Sequence, residues 1–286
     1  MIILKEFPDV QFANKEAAFA HLRQNAEKII ALKKAEIHKS FEKGCISSFL
    51  NKVTADETKA ALGMKQGYIY PVINTTNYMD SHSDVHFNGI WDSSIKQNKG
   101  SIYYVADHDL KLNSVIAYPE DVKVYTKELP WGLFGKDYPG ETQALIFEIS
   151  EEKLVNETAR KAIADKRKLQ NSVRMQYVKI RLALNSEAQE DQMYKAYFDE
   201  KLKVIANKAQ VLEQGYFWGV EEAKIVKEGS MVLFGSNDAT PILSPNNDEN
   251  SEGNKGIKNH PSNDNGEQPP VNVDFASLIK TVNFKF

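Results

Sequence analysis

Apolar and polar positions recur with different periods along the chain, and the period predicts the element. From Lys15 to about Lys43, KEAAFAHLRQNAEKIIALKKAEIHKSFEK, apolar side chains fall at helical spacing in a background of Ala, Leu, Lys and Glu, and the run stops at Gly44. This predicts a long, Lys-rich helix. A shorter helix is expected next, with Thr54 as N-cap, Glu57 three residues on, and an end near Gly63. The centre has a different period. GYIYPVINTTNYM, GSIYYVA, NSVIAYPEDVKVYTKEL and TQALIFEIS are short β-branched and aromatic runs broken by Gly, Pro and Asn, which is strand chemistry. GIWDSSIKQN between them predicts a turn or two of helix, and EEKLVNETARKAIADKRKLQN a helix of alternating charge. Strands return at SVRMQYVKIRLAL and GYFWGVEEAKIVKEGSMVLFG, separated by the helical stretch EAQEDQMYKAYFDEKLKVIANKA.

These elements predict an α+β fold, a mostly antiparallel β-barrel core with surrounding helices. The expected organisation is a helical N-terminal extension over 1–66, a core domain over 67–240 with a helical insertion at about 186–208, and a C-terminal tail over 241–286. The tail turns to Asn, Asp, Ser, Gly and Pro, a composition that cannot bury enough apolar surface to offset its ordering entropy, so a disordered linker is expected. Its last stretch, VNVDFASLIKTVNFKF, is apolar again and reads as a short docking segment.

Composition narrows the partners. A net charge of −3 with pI near 6.1 argues against nucleic acid. One cysteine, Cys45, excludes an internal disulfide and a multi-thiolate metal site. The opening MIILKEF meets a charge too early for a signal peptide, and no run reaches the ~18 apolar residues of a membrane span, so a soluble protein of a reducing compartment is expected.

Three stretches carry candidate chemistry. YMDSHSDVHFNG places Asp80, His82, Asp84 and His86 at alternate positions; if extended, they share one face and offer a ligand set for Zn or Mn, and otherwise they form a polar loop. ADHDLK sets His108 between Asp107 and Asp109 at a strand end, where flanking carboxylates can fix a tautomer for base catalysis. Ser172, in LQNSVRMQYV, stands where a helix gives way to a strand, a place for a cap or for a nucleophile.

In the order MDSHSDVHFNGIWDSSI, YYVADHD, NSVRMQYV, EAKIVKEGSMVLFGSNDATP, residues 67–241 resemble the prohead serine protease family of tailed bacteriophages, capsid maturation proteases related to the herpesvirus assemblins. Asp84, Gly89 and Trp91 match that family's loop and short helix; His108 its base; Ser172 its nucleophile; Glu228, Ser230, Phe234 and Asn237 its late strand. The resemblance implies an endopeptidase in which Ser172 attacks the scissile carbonyl, His108 carries the proton, and an acid orients the imidazole. Glu228 fits that third role by motif, with Glu222 and Asp109 as alternatives. It also implies no metal or organic cofactor, with the Asp80–His86 loop only positioning the helix after it. The implied partners are the phage major capsid protein, the scaffold and the enzyme itself, as a self-cleaving homo-oligomer without nucleic acid or membrane. The implied place is the host cytoplasm, inside the assembling prohead. One departure stands out: Arg174 replaces the family's Gly, which either alters a turn or supplies a donor for an oxyanion. An inactive scaffold of the same fold and a metal-dependent hydrolase using His82, Asp84, His86 and His108 are the rival readings.

Overall fold

A computed structural model describes residues 1–38, 60 and 62–245, which belong to one compact unit. The chain opens with a hairpin, β1 (Ile2–Leu4) and β2 (Phe7–Phe12), where sequence reasoning expected only helix. Helix α1 (Lys15–Ala35) follows, capped by the Asn14 side chain, which accepts from Ala17 N–H at 2.9 Å. Its face of Ala18, Phe19, Leu22, Ala26 and Ile29 is buried in the main core, so the described N-terminal elements share that core. The helix ends at Ala35, short of the expected Lys43, because tertiary pairing overrides propensity: His38 and Met175 exchange both backbone hydrogen bonds, at 2.8 and 2.9 Å. The second helix expected from Thr54 falls mostly outside the described residues.

The central strand is β10 (Tyr216–Val232), which pairs along one edge with the antiparallel β9 (Gln170–Leu184). Two short strands share its other edge end to end, both parallel to it: β4 (Asp84–His86) beside Trp218–Val220 and β5 (Tyr103–Ala106) beside Glu228–Met231. β6 (Val115–Ala117) closes this sheet against β5. A second, wholly antiparallel sheet runs β11–β3–β8–β7, from β3 (Tyr68–Thr75), β7 (Lys123–Pro130), β8 (Glu141–Ser150) and β11 (Ile242–Leu243). Ile73 and Phe147 of the second sheet press on Gly229 of β10, where an added Cβ would lie 2.7 Å from Phe147. The sheets therefore pack face to face.

The expected barrel is not formed: among the described residues the two sheets stay open. A barrel needs each edge strand paired with the next. β6 is only three residues long and runs into Tyr118 and Pro119, and proline has no N–H to extend a ladder, so the chain turns away into β7 of the other sheet. Most strand pairs are antiparallel, as expected. The expected helices appear as α2 (Asp92–Gln97), α3 (Glu157–Ala164) and α4 (Gln192–Leu202), and the single run expected for the insertion is broken after Leu202, with a second helix that sequence did not separate, α5 (Lys208–Gln214). The last two are the insertion between β9 and β10, packing Tyr197, Phe198 and Val211 on Phe87 and Phe217. From residue 246 on, the expected linker and docking segment lie outside the described residues.

Candidate active site

β5, β10 and β9 lie side by side, and each contributes a candidate side chain where their ends meet. β5 leads into a turn closed by Asp109 N–H on Ala106 O at 3.0 Å, with its two central residues, Asp107 and His108, at φ 53° and 54°. Two positive φ values in succession are the pattern of a type I′ turn, normally filled by Asn-Gly. A histidine held there is strained, and such strain persists where neighbours over-determine it. Here they do. The His108 backbone N–H donates to Ser230 Oγ at 3.0 Å, and its Nδ1 lies 2.8 Å from Glu228 Oε1.

Glu228 reaches the ring through an irregularity in β10. Between Ile225 and Gly229 that strand advances four residues while β9 advances only from Met175 to Val173, and Lys227 takes φ 71°. Bulges of this kind re-aim side chains. Glu228 is thereby fully buried, 0% exposed, and its second oxygen accepts from Ser230 Oγ at 2.8 Å. Two donors converge on this carboxylate, which accepts from both, so Nδ1 carries the imidazole proton and Nε2 presents its lone pair. Nε2 is buried and has no hydrogen-bond partner among the described residues.

Ser172 is the direct cross-strand partner of Ser230. Paired residues in an antiparallel ladder point to the same face, with Cα atoms about 5.5 Å apart when hydrogen-bonded. Ser172 therefore points to the same face as Ser230, the serine bonded to His108; it is 6% exposed and makes no hydrogen bond to His108 Nε2. Catalytic hydrogen bonds often tighten only with substrate in place. Arg174 shares that face two residues on, and its buried Nε has no hydrogen-bond partner among the described residues. No turn occurs at Arg174: it sits inside β9, so glycine's conformational freedom is not required there.

The alternatives for the third group are elsewhere. Asp109 accepts from Ser114 at 2.9 Å and pairs with Lys111 at the surface; Glu222 lies opposite Lys179, far along β10. The Asp80–His86 stretch turns at residues 81–83 and is extended only in β4, so Asp84 and His86 share a face while Asp80 and His82 precede it in the turn. Asp80 Oδ1 accepts from the backbone of His82 and Asp84, at 2.9 and 3.0 Å, and His82 is exposed. Asp84 spends its oxygens on Lys33 Nζ and Tyr177 OH, each at 2.7 Å. His86 Nδ1 takes Asn74 at 2.9 Å. A lysine ammonium in the centre of the set opposes a bound cation, and among the described residues no three such side chains converge on a metal position. His86 instead shares with Ser172, Asn74 and Asn237 a cavity of about 10 Å³, room for about one water. Burial holds its imidazole down at about 4, so it stays neutral.

Buried amides fix the strands around Ser172; sequence reasoning missed Asn171 and named Asn237 only as a motif match. Asn171 accepts from the Tyr104 hydroxyl at 2.7 Å and donates to Thr240 O at 2.9 Å; burial raises the Tyr104 phenol well above its ordinary range and keeps it a donor. Asn237, which matches the resembled motif, donates to Thr75 O at 3.1 Å and accepts from Ala239 N–H at 3.0 Å, clamping the chain after β10 to β3. Their signal was a polar residue inside an otherwise apolar strand or just past its end. No protein-family model, no curated protein and no solved structure matches this chain.

Proposed function

We propose that this chain is a serine endopeptidase with Ser172 as nucleophile, His108 as base and Glu228 as the orienting acid. The observation that carries the reading is the buried His108–Glu228 pair, which leaves Nε2 without a partner among the described residues, with Ser172 paired across the strands to Ser230, the serine that bonds both. Ser172 Oγ gives its proton to Nε2 as it attacks the carbonyl carbon, and Glu228 stabilises the imidazolium that results. Collapse of the tetrahedral intermediate returns that proton to the leaving amine, and water repeats the cycle on the acyl-enzyme. Arg174 supplies a donor on the same face for the oxyanion. The resemblance of residues 67–241 to the assemblin-like prohead proteases extends the proposal to capsid maturation, with coat protein, scaffold and the enzyme itself as substrates within the prohead.

The test is co-expression with the adjacent coat and scaffold proteins, following cleavage by mass spectrometry for the parent, Ser172→Ala, His108→Ala and Glu228→Gln. Processing is expected in the parent and absent from the first two. Glu228→Gln is expected to lose on the order of 10⁴-fold in rate, since an amide favours the wrong imidazole tautomer and does not stabilise the imidazolium. Processing that survives Ser172→Ala overturns the mechanism; a parent that cuts nothing favours the inactive scaffold.

A further inference from the structure

We propose that Ser230 is a positioning residue for the base, an assignment that rests on the reading of Ser172, His108 and Glu228 as peptidase machinery. Its hydroxyl accepts from the His108 backbone N–H at 3.0 Å and donates to Glu228 Oε2 at 2.8 Å, while Glu228 Oε1 holds His108 Nδ1 at 2.8 Å. These contacts close a ring: backbone of the base, serine hydroxyl, carboxylate, ring of the base. The ring acts on the two degrees of freedom that a histidine in this turn has. The backbone bond pins a residue at φ 54°, a conformation that non-glycine residues leave unless held. The carboxylate bond fixes the imidazole's tautomer and orientation. One hydroxyl couples the two, so ring and backbone move together or not at all.

Alternatives for the hydroxyl are few. Ser230 is 0% exposed, so water does not replace it, and Glu228, also 0% exposed, keeps one carboxylate oxygen on the histidine and the other on this serine. Ser230 is also the cross-strand partner of Ser172, so the hydroxyl that fixes the base grows from the backbone position facing the nucleophile. A serine that only filled space would make neither bond. Ser172 and Ser230 are thus a pair with divided roles: one reacts, and the other sets where its base stands.

The test compares Ser230→Ala and Ser230→Thr with the parent in the full chain, using two readouts. The first is the slowly exchanging, downfield imidazole N–H resonance expected from the buried His108–Glu228 bond and identified by its absence in His108→Ala. In Ser230→Ala it should exchange about tenfold faster or vanish while protected amides and the melting transition show the native fold; Ser230→Thr, which keeps a hydroxyl, should restore it. The second is steady-state cleavage: kcat should fall about tenfold or more in Ser230→Ala with KM nearly constant, and recover in Ser230→Thr. A resonance unchanged in Ser230→Ala, or lost equally in both variants, overturns the positioning role, as does a loss expressed in KM alone. Failure of the peptidase reading has a different signature, since a parent without activity still gives the resonance comparison, which decides the role of Ser230 by itself.

Discussion

Replacing Lys33 by Met removes one half of a buried ion pair while keeping most of the side-chain volume. Lys33 reaches from the last turn of α1 to Asp84 Oδ1 at 2.7 Å, with side-chain exposures of 15% and 2%. Burial alone lowers the affinity of such an ammonium for its proton, yet the Asp84 carboxylate outweighs it and the Lys33 pKa stands raised. At an effective dielectric near 20, two charges about 4 Å apart attract by about 4 kcal/mol. Desolvation of the two ions costs a similar amount, so the intact pair is close to neutral for stability. The single variant is a different case: it leaves Asp84 buried, held only by the Tyr177 hydroxyl and facing Asp80, and should cost about 3–5 kcal/mol. Asp84→Asn should cost a similar amount by stranding the lysine. The double variant strands nothing and should fall at least about 2 kcal/mol short of the sum. Urea unfolding of the four proteins at neutral pH measures the cycle. Additive costs below about 1 kcal/mol each, the range of a solvated pair, would refute the reasoning.

Two further outcomes follow from the same interior. Burial, reinforced by Asp84, pushes Asp80 up to about 7, and burial pushes His86 down to about 4. His86 thus contributes stability that is complete above its unfolded value of 6.5 and is lost as pH falls toward 4, whereas Asp80 contributes stability present below its unfolded 3.8 and lost as pH rises through 7. Their slopes, about 1.4 kcal/mol per pH unit each, oppose one another between pH 4 and 6.5. Asp80→Asn removes one slope, so unfolding free energy should rise by about 3 kcal/mol across that window; a flat profile in this variant would sink the assignment. At the sheet interface, Gly229→Ala puts a methyl 2.7 Å from Phe147 and 3.0 Å from Ile73, between Glu228 and Ser230. It should cost about 1–3 kcal/mol in thermal unfolding and abolish cleavage, and a variant with parental melting and rate would show that the sheets do not press there.

Local chemistry was legible where it was also decisive. The start of α1 at Lys15 and the strand runs at Tyr68 and Glu141 depend on spacing within one element, and they appear within a few residues of their expected places, whereas α1 ends well short of Lys43 and the insertion breaks into two helices. Pairing was not legible. Whether β4 and β5 lie parallel on β10 depends on a partner more than a hundred residues distant. In the Asp80–His86 stretch alternation gives a shared face only where the chain is extended, at Asp84 and His86, and the Asp84 oxygens are committed to Lys33 and Tyr177, distant in sequence. His108, Ser172 and Glu228 were picked out by residue type and order. Ser230 was marked only as a motif position; the bonds that give it a role run to a turn after another strand and were not legible.

The shared edge of β10 has a consequence for how this protein can change in length. β4 and β5 both take their register from one continuous strand, at Trp218–Val220 and Glu228–Met231. The irregularity between those two segments adds an even number of residues relative to β9, so facing is preserved across it. Side chains on a strand alternate with a period of two, so a single-residue insertion or deletion between Glu221 and Lys227 would turn Glu228 and Ser230 toward the opposite face while leaving β4 correctly seated. Substitutions in that interval act locally, whereas a change of one in its length exchanges inside for outside at the site. Descendants of this chain are therefore expected to vary in sequence between Glu221 and Lys227 and to hold its length fixed.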